Sequence, residues 1–323
     1  MRSKVLVTPR SFKLDSVAIT LLQEAGFEIR WNPHNRPLTE KELLHELTDV
    51  EGIIIGVDPL TARVINEAKS LRVISKYGVG LDNIDISAAT ARGILVTVTP
   101  GANAISVAEL TIGLMLSVAR QIPLADKLVR EGSWPRVVGH ELYGKVLGLV
   151  GMGRIGREVA KRAYAFGMRI LAFDKVQDKE FAECYNVEYT DLDDLLARSD
   201  FVSIHLPLDD STRNLLDEGR LRKMKPEAFL INTSRGGILD EKALVRALTC
   251  GWIAGAALDV YAEEPPTDLE LKRLSNVVLT PHMGAHTQEA ISRMAQQAAR
   301  NLIDALKGCV NPDVVVNPEV LRR

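Results

Sequence analysis

Val146-Leu147-Gly148-Leu149-Val150 runs straight into Gly151-Met152-Gly153-Arg154-Ile155-Gly156, near the middle of a chain of 323 residues. The first five residues are apolar and short enough for a buried parallel strand. The next six form a G-x-G-x-x-G loop, beyond which Ile155, Val159, Ala163 and Phe166 recur at helical spacing. The following apolar run, 168–173, ends at Asp174, eighteen residues past Gly156. Glycines here permit a tight turn and a close approach of backbone to a pyrophosphate, whose charge meets the helix N-terminus. The spaced carboxylate is placed to bond an adenosine ribose. An ordinary glycine-rich turn would satisfy the loop pattern alone. Strand, helix and spaced acid together predict dinucleotide binding through Gly151, Gly153, Gly156 and Asp174. The charge of Asp174 favours NAD over NADP because it repels a ribose 2′-phosphate, and Lys175 beside it opposes that preference.

Composition narrows the class. With 46% hydrophobic and 25% charged residues, the chain reads as globular and large enough for about two domains. A net charge of −2 gives no reason to expect nucleic-acid or membrane partners. The basic cluster 220–225 reads as a solvated helix end. Cys184, Cys250 and Cys309 are three in number, far apart and without a C-x-x-C pair, which argues against a disulfide framework or a metal site. The N-terminus enters a strand directly, and no apolar run approaches the roughly 18 residues that span a bilayer. The expectation is a cytoplasmic protein.

Short apolar runs alternate with amphipathic segments along the chain, the mark of βαβ units and parallel sheets. Strands are expected at residues 4–8, 28–31, 52–56, 73–76 and 95–98, then at 146–150, 169–173, 201–205, 229–232, 254–258 and 277–279. Helices are expected at 16–25, 40–47, 61–68 and 240–249, among others. A glycine loop normally follows the first strand of a nucleotide-binding sheet, so the first hundred residues must form a separate α/β domain. The segment 104–119 is too apolar for a simple surface helix and is expected at an interface between domains or subunits. A last helix, 288–306, is expected to return to the first domain, which suits a hinge around a cleft. The fold predicted is α/β throughout. A Rossmann-type doubly wound domain takes residues 101–285, and a discontinuous flavodoxin-like substrate domain takes 1–100 and 286–323.

Ligands of open parallel sheets gather beyond the carboxyl ends of the strands. Those ends carry the glycine loop, Asp174, His205 and Pro207 with Thr212, then Asn232-Thr233-Ser234-Arg235-Gly236-Gly237, Asp259 with Glu264, and Thr280-Pro281-His282-Met283-Gly284. Hydride exchange with a 2-keto acid needs a cation for the carboxylate, an acid/base for the carbonyl oxygen, and a group that keeps the acid protonated. Arg235 suits the first, since a guanidinium grips a carboxylate with two parallel bonds. His282 suits the second, as imidazole titrates near neutrality, and a carboxylate such as Glu264 supports an imidazolium. Each has a plainer reading: Arg235 as a capping or surface residue, His282 as a lone strand-end histidine without a role, Glu264 as a solvated side chain; His205, also at a strand end, has one as a packed, hydrogen-bonded side chain. His34, His45, His140 and His286 lack any such setting.

The chain resembles the D-isomer-specific 2-hydroxyacid dehydrogenases, in the phosphoglycerate dehydrogenase branch. The carriers are Lys76-Tyr77-Gly78-Val79-Gly80-Leu81-Asp82-Asn83-Ile84-Asp85, Gly101-Ala102-Asn103 with Val107-Ala108-Glu109, the glycine loop, 232–237, 257–261 with Glu264-Pro265, and 280–284. The resemblance implies a catalytic set of Arg235, Glu264 and His282, with Asp259 near the nicotinamide. It implies a cofactor site lined by Val79, Arg154, Ile155, His205, Pro207, Thr212, Thr233 and the segment 282–284 with Gly284. Substrate contacts are implied at Lys76, Tyr77, Gly78 and Asn103, with Arg235 and His282. A homodimer formed around segment 104–119 is implied as well. Phosphoglycerate-type enzymes hold the distal phosphate with basic side chains of the first domain. Lys76 stands where they often carry Arg, Arg136 also fits, and Gly56 stands where a further Arg is expected. The chain ends soon after the His282 segment, so the regulatory serine-binding domain of longer relatives is expected to be absent.

The function expected is therefore an NAD-dependent D-2-hydroxyacid dehydrogenase of the 3-phosphoglycerate type. Reduction of glyoxylate, hydroxypyruvate or another small 2-keto acid is the alternative. NAD-sensing corepressors of the same fold also keep the triad, but this chain has no long disordered tail. Formate dehydrogenases carry Gln where Glu264 stands, and a proton-transfer pair would be idle in their reaction.

Overall fold

The computed structural model describes residues 3–267 and 269–322. The chain forms two compact units, one of 1–103 with 286–323 and one of 104–285.

The first unit holds strands β1 (Lys4–Val7), β2 (Glu28–Trp31), β3 (Val50–Ile55), β4 (Val73–Lys76) and β5 (Leu95–Thr97). They form a parallel sheet in the order β2-β1-β3-β4-β5. β3 and β4 are nearly all buried, as expected of central strands covered on both faces. One face is covered by Leu38, Leu43, Val64 and Ile65 among others. On the other face the long helix Gln288–Lys307 lays Ala295, Ala298, Ala299 and Leu302 against Val5, Val7 and Ile54. Two polar ties fix that helix: Ser75 Oγ donates to the Ala298 carbonyl, and Ser292 and Gln296 donate to Asp15.

The second unit adds β6 (Val146–Val150), β7 (Arg169–Phe173), β8 (Val187–Tyr189), β9 (Phe201–Ile204), β10 (Phe229–Asn232), β11 (Gly255–Leu258) and β12 (Val277–Leu279). Their order is β12-β11-β10-β9-β6-β7-β8, all parallel, so chain direction across the sheet reverses between β6 and β9. The second sheet has seven strands where the sequence pattern gave six. The extra one, β8, is a three-residue edge strand. The helix Ala104–Ala119 buries ten of its sixteen residues. Its Ala108, Ile112, Met115 and Val118 pack with Leu147, Leu149, Val159 and Ile231, so the sheet of its own unit covers it. No single helix among the described residues is long and apolar enough to cross a membrane.

Register decides what this sheet can present. Val150 pairs with Phe173 and Ile204, Ile204 with Asn232, Asn232 with Leu258, and Leu258 with Leu279. The next residue of each strand is thus brought into one row: Gly151, Asp174, His205, Thr233, Asp259 and Thr280.

Candidate active site

The glycine loop comes first in that row. Gly151 has φ +108°, and a Cβ on it would lie 2.7 Å from the His205 carbonyl oxygen. A Cβ on Gly156 would lie 2.2 Å from the Gly151 oxygen. Those two glycines let the loop fold on itself. Gly153 differs: a Cβ there would meet nothing within 4 Å. It caps the helix Arg154–Ala165 with no side-chain hydrogen bond to the first turn. The loop therefore leaves open space over unsatisfied helical N–H groups, a cradle that fits the pyrophosphate of a dinucleotide. Asp174 Oδ2 accepts from Met152 N at 2.7 Å and Oδ1 from Val176 N at 2.9 Å. Its carboxylate closes the loop and retains lone pairs for a ribose hydroxyl. Arg154 is exposed and Ile155 half-buried at the start of the helix.

His205 backs the loop. Its Nε2 lies 2.8 Å from Ser203 Oγ, and its buried Nδ1 has no partner among the described residues. Burial pushes the imidazole pKa down to about 3, so the ring is neutral. Thr212 donates to the Pro207 carbonyl at 2.7 Å and accepts from Asp209 N, bracing the segment after β9 around the exposed Pro207.

The three residues of the expected catalytic set all belong to the second unit. His282 Nδ1 lies 2.7 Å from Glu264 Oε2. Desolvation, the largest influence, pushes the Glu264 carboxyl up. The bond and charge of His282, the Tyr261 N–H and the charge of Arg235 outweigh it and hold the group below its usual value. Glu264 is thus an acceptor-only carboxylate at neutral pH, Nδ1 of His282 carries the proton, and Nε2 is the atom left to exchange one.

His282 adopts the left-handed conformation, φ 50°, rare outside glycine. Buried Asp259 holds it there. Its carbonyl accepts from His282 N, its Oδ1 from Thr280 Oγ1 and Met283 N, and its Oδ2 from Gly284 N, at 2.6–2.8 Å. Tyr261 supports the neighbouring loop, its N–H donating to Glu264 Oε1 and its hydroxyl to the Thr280 carbonyl. Arg235 sits in a loop closed by Asn232, whose Nδ2 donates to the Arg235 carbonyl. A Cβ on Gly236 would fall 1.9 Å from the Tyr261 carbonyl carbon, so only glycine lets the Arg235 and Glu264 loops meet. Pattern reading did not single out Thr280 or Tyr261 as functional. Their contribution is lateral hydrogen bonding between strand ends, which sequence spacing does not encode.

In the first unit, Lys76 is buried. Its Nζ donates to the Gly56 carbonyl and to Asn83 Oδ1, both at 2.6 Å. Tyr77 turns its ring into an aromatic cluster with Phe12, and its hydroxyl bonds to Ser11 and the Ile291 carbonyl. Burial pushes its pKa up to about 12. Gly78, at φ +127°, donates to Thr99, Val79 is 42% exposed, and Asn103 is half-buried. Arg136 is exposed.

Residues 112–284 match the family model for the D-isomer specific 2-hydroxyacid dehydrogenase NAD binding domain. The chain belongs to that family. It is 46% identical to a glyoxylate reductase of Thermofilum pendens, over 99% of this chain and 96% of the relative. It is 44% identical to a D-3-phosphoglycerate dehydrogenase of Methanocaldococcus jannaschii, over 98% of this chain but only 60% of that longer protein. A solved glyoxylate reductase from Paecilomyes thermophila superposes with a TM-score of 0.86 at 33% identity, covering 99% of this chain and all of that one. As a family member the protein is an NAD-dependent oxidoreductase acting on 2-hydroxy acids.

Proposed function

We propose that the protein reduces a small, unphosphorylated 2-keto acid of the glyoxylate or hydroxypyruvate class with NADH, and that the 2.7 Å His282–Glu264 pair is its acid/base. NAD supplies the hydride donor or acceptor. Gly151, Gly153, Gly156 and the first turn at Arg154 and Ile155 would hold the pyrophosphate, and Asp174 the ribose. Arg235 would grip the substrate carboxylate and polarise the adjacent carbonyl. His282 Nε2 would donate a proton to the carbonyl oxygen in reduction and take it back in oxidation. Glu264 would fix the tautomer and stabilise the imidazolium left behind. The single feature favouring an unphosphorylated acid is Gly56, which offers no side chain where a distal phosphate would call for a cation. One observation favours phosphohydroxypyruvate instead: the buried ammonium of Lys76 in the same loop cluster.

Rates of NADH oxidation across glyoxylate, hydroxypyruvate, pyruvate and phosphohydroxypyruvate decide between them. A kcat/KM for phosphohydroxypyruvate above that for glyoxylate and hydroxypyruvate would overturn the first reading in favour of the second. We further infer a homodimer. The helix Ile122–Arg130 buries none of its residues while exposing Ile122 and Val129, and Trp134 and Val138 follow at 82% and 86% exposure. Light scattering on a sizing column tests this. Three free, exposed cysteines support placement in a reducing, cytoplasmic setting.

A further inference from the structure

The helix Ala104–Ala119 carries a hydroxyl into the catalytic layer. Thr111 is fully buried, and its Oγ1 lies 2.8 Å from the Val107 carbonyl oxygen and 2.9 Å from Thr233 Oγ1. A hydroxyl has one proton, and a carbonyl can only accept. The Thr111 proton therefore goes to Val107. Across the second contact Thr111 accepts and Thr233 donates. Thr233 makes no other side-chain bond among the described residues. With its proton turned inward toward Thr111, it has only lone pairs left to offer. Thr233 stands in the strand-end row between His205 and Asp259, two residues before Arg235.

We propose that Thr111 is a positioning residue that makes Thr233 an acceptor-only hydroxyl, and that this hydroxyl recognises the N–H2 of the nicotinamide carboxamide. The proposal rests on the reading that Thr233 lines the dinucleotide site. A carboxamide has a donor end and an acceptor end, and a freely turning hydroxyl would serve either. One whose proton is already committed serves only the donor end, so it selects between the two.

Equilibrium dissociation constants test this without turnover. NAD+ is compared by calorimetry with 3-acetylpyridine adenine dinucleotide, which carries a methyl group in place of the amide nitrogen. The wild-type protein should prefer NAD+ through this contact by about three- to tenfold, the worth of one neutral hydrogen bond. Thr233→Val should bring the ratio close to one. Thr111→Val should do the same, because the freed Thr233 hydroxyl can then donate to the carbonyl that both dinucleotides share. Thr111→Ser should keep the wild-type ratio. A purely packing role for Thr111 predicts the reverse order, with Val harmless for its matching shape and Ser harmful for the methyl it lacks. Equal ratios in the wild type and Thr111→Val would overturn the proposal while leaving dinucleotide binding intact. Failure of the wild type to bind either dinucleotide would overturn the underlying reading and this inference with it.

Discussion

Replacing Asp259 with Asn tests whether one buried carboxylate sets the left-handed geometry of His282. The carboxylate is 1% exposed and receives three hydrogen bonds, from Thr280 Oγ1, Met283 N and Gly284 N. Asparagine keeps one oxygen. In the less costly orientation that oxygen stays with Thr280 and Met283, and the amide N–H2 then faces the Gly284 N–H, donor against donor. A buried N–H loses its partner, at about 1–3 kcal/mol, and two bonds to a charged acceptor become bonds to a neutral one, at about 1 kcal/mol each. The sum is about 3–5 kcal/mol. Some relaxation of the 282–284 loop brings the expected cost to about 3 kcal/mol. If that cost falls on the assembled loop, kcat/KM drops by about a hundredfold, at 1.36 kcal/mol per factor of ten. If it also falls on global stability, the melting temperature drops by about 6–12 °C for a unit of this size. Steady-state reduction of the best 2-keto acid and a thermal melt are both needed, because the first reads loop geometry and the second reads the fold. An Asn variant with kcat/KM within threefold of wild type and an unchanged melt would refute this account of the loop.

Gly236→Ala places a Cβ 1.9–2.3 Å from the backbone of Tyr261 and Ala262. A loss of kcat of about 5- to 150-fold is expected, from the 1–3 kcal/mol that overpacking typically costs; wild-type turnover would mean the two loops need not meet. His205→Gln probes a depressed pKa. In the folded protein the imidazole stays neutral down to about pH 3, whereas in the unfolded chain it takes a proton below about 6.5. Wild-type stability present above pH 6.5 is therefore progressively lost as pH falls from 6.5 toward 3, by up to about 1.4 kcal/mol per pH unit. The fall in melting temperature between pH 7.5 and 5.5 should be smaller in the Gln variant by about 2–4 °C, and identical falls would count against a buried neutral ring. Lys76→Ala should lower kcat/KM for phosphohydroxypyruvate more than for glyoxylate if Lys76 acts on a distal phosphate. An equal loss on both would assign it to holding Gly56 and Asn83 in place. In the same assay Gly56→Arg should raise relative use of phosphohydroxypyruvate, since a Cβ at position 56 meets Pro9 and Asp58 only at ordinary contact distance.

Much of this site is legible in the sequence because neighbouring parallel strands end in register. Once β6, β7, β9, β10, β11 and β12 are read as apolar runs, the residues after them must share one edge, and that edge carries Gly151, Asp174, Thr233, Asp259 and the His282 segment. Apolar periodicity marks such strands, and its absence hides others. β8 has three residues, with Glu188 exposed in the middle, too few to show an alternation. Tyr77 shows a different limit. A position in a glycine-rich turn suggests a ligand contact, but the direction of its ring depends on Phe12 and Ile291, remote in sequence. The bond between Thr111 and Thr233 joins residues 122 apart. Neither periodicity nor motif spacing carries such a pairing.

The three residues proposed for catalysis, Arg235, Glu264 and His282, come from three loops, so their relative position depends on what joins those loops. The joints form a closed circuit. Gly236 rests on Tyr261, Tyr261 N–H holds Glu264, Glu264 holds His282, and His282 N–H is held by the Asp259 carbonyl. Asp259 N–H then bonds the Asn232 carbonyl, and Asn232 Nδ2 returns to the Arg235 carbonyl beside Gly236. In a closed circuit each joint is backed by the others, so one weakened joint is partly compensated and two are not. The effects of Asp259→Asn and Gly236→Ala therefore cannot be read as separate shares of catalysis. Contacting networks of this kind couple by about 0.5–3 kcal/mol, as large as the single effects themselves. The arrangement also accounts for a strained His282: a left-handed residue in a free loop would relax, but here its N–H, its imidazole and the next two N–H groups are each fixed from outside.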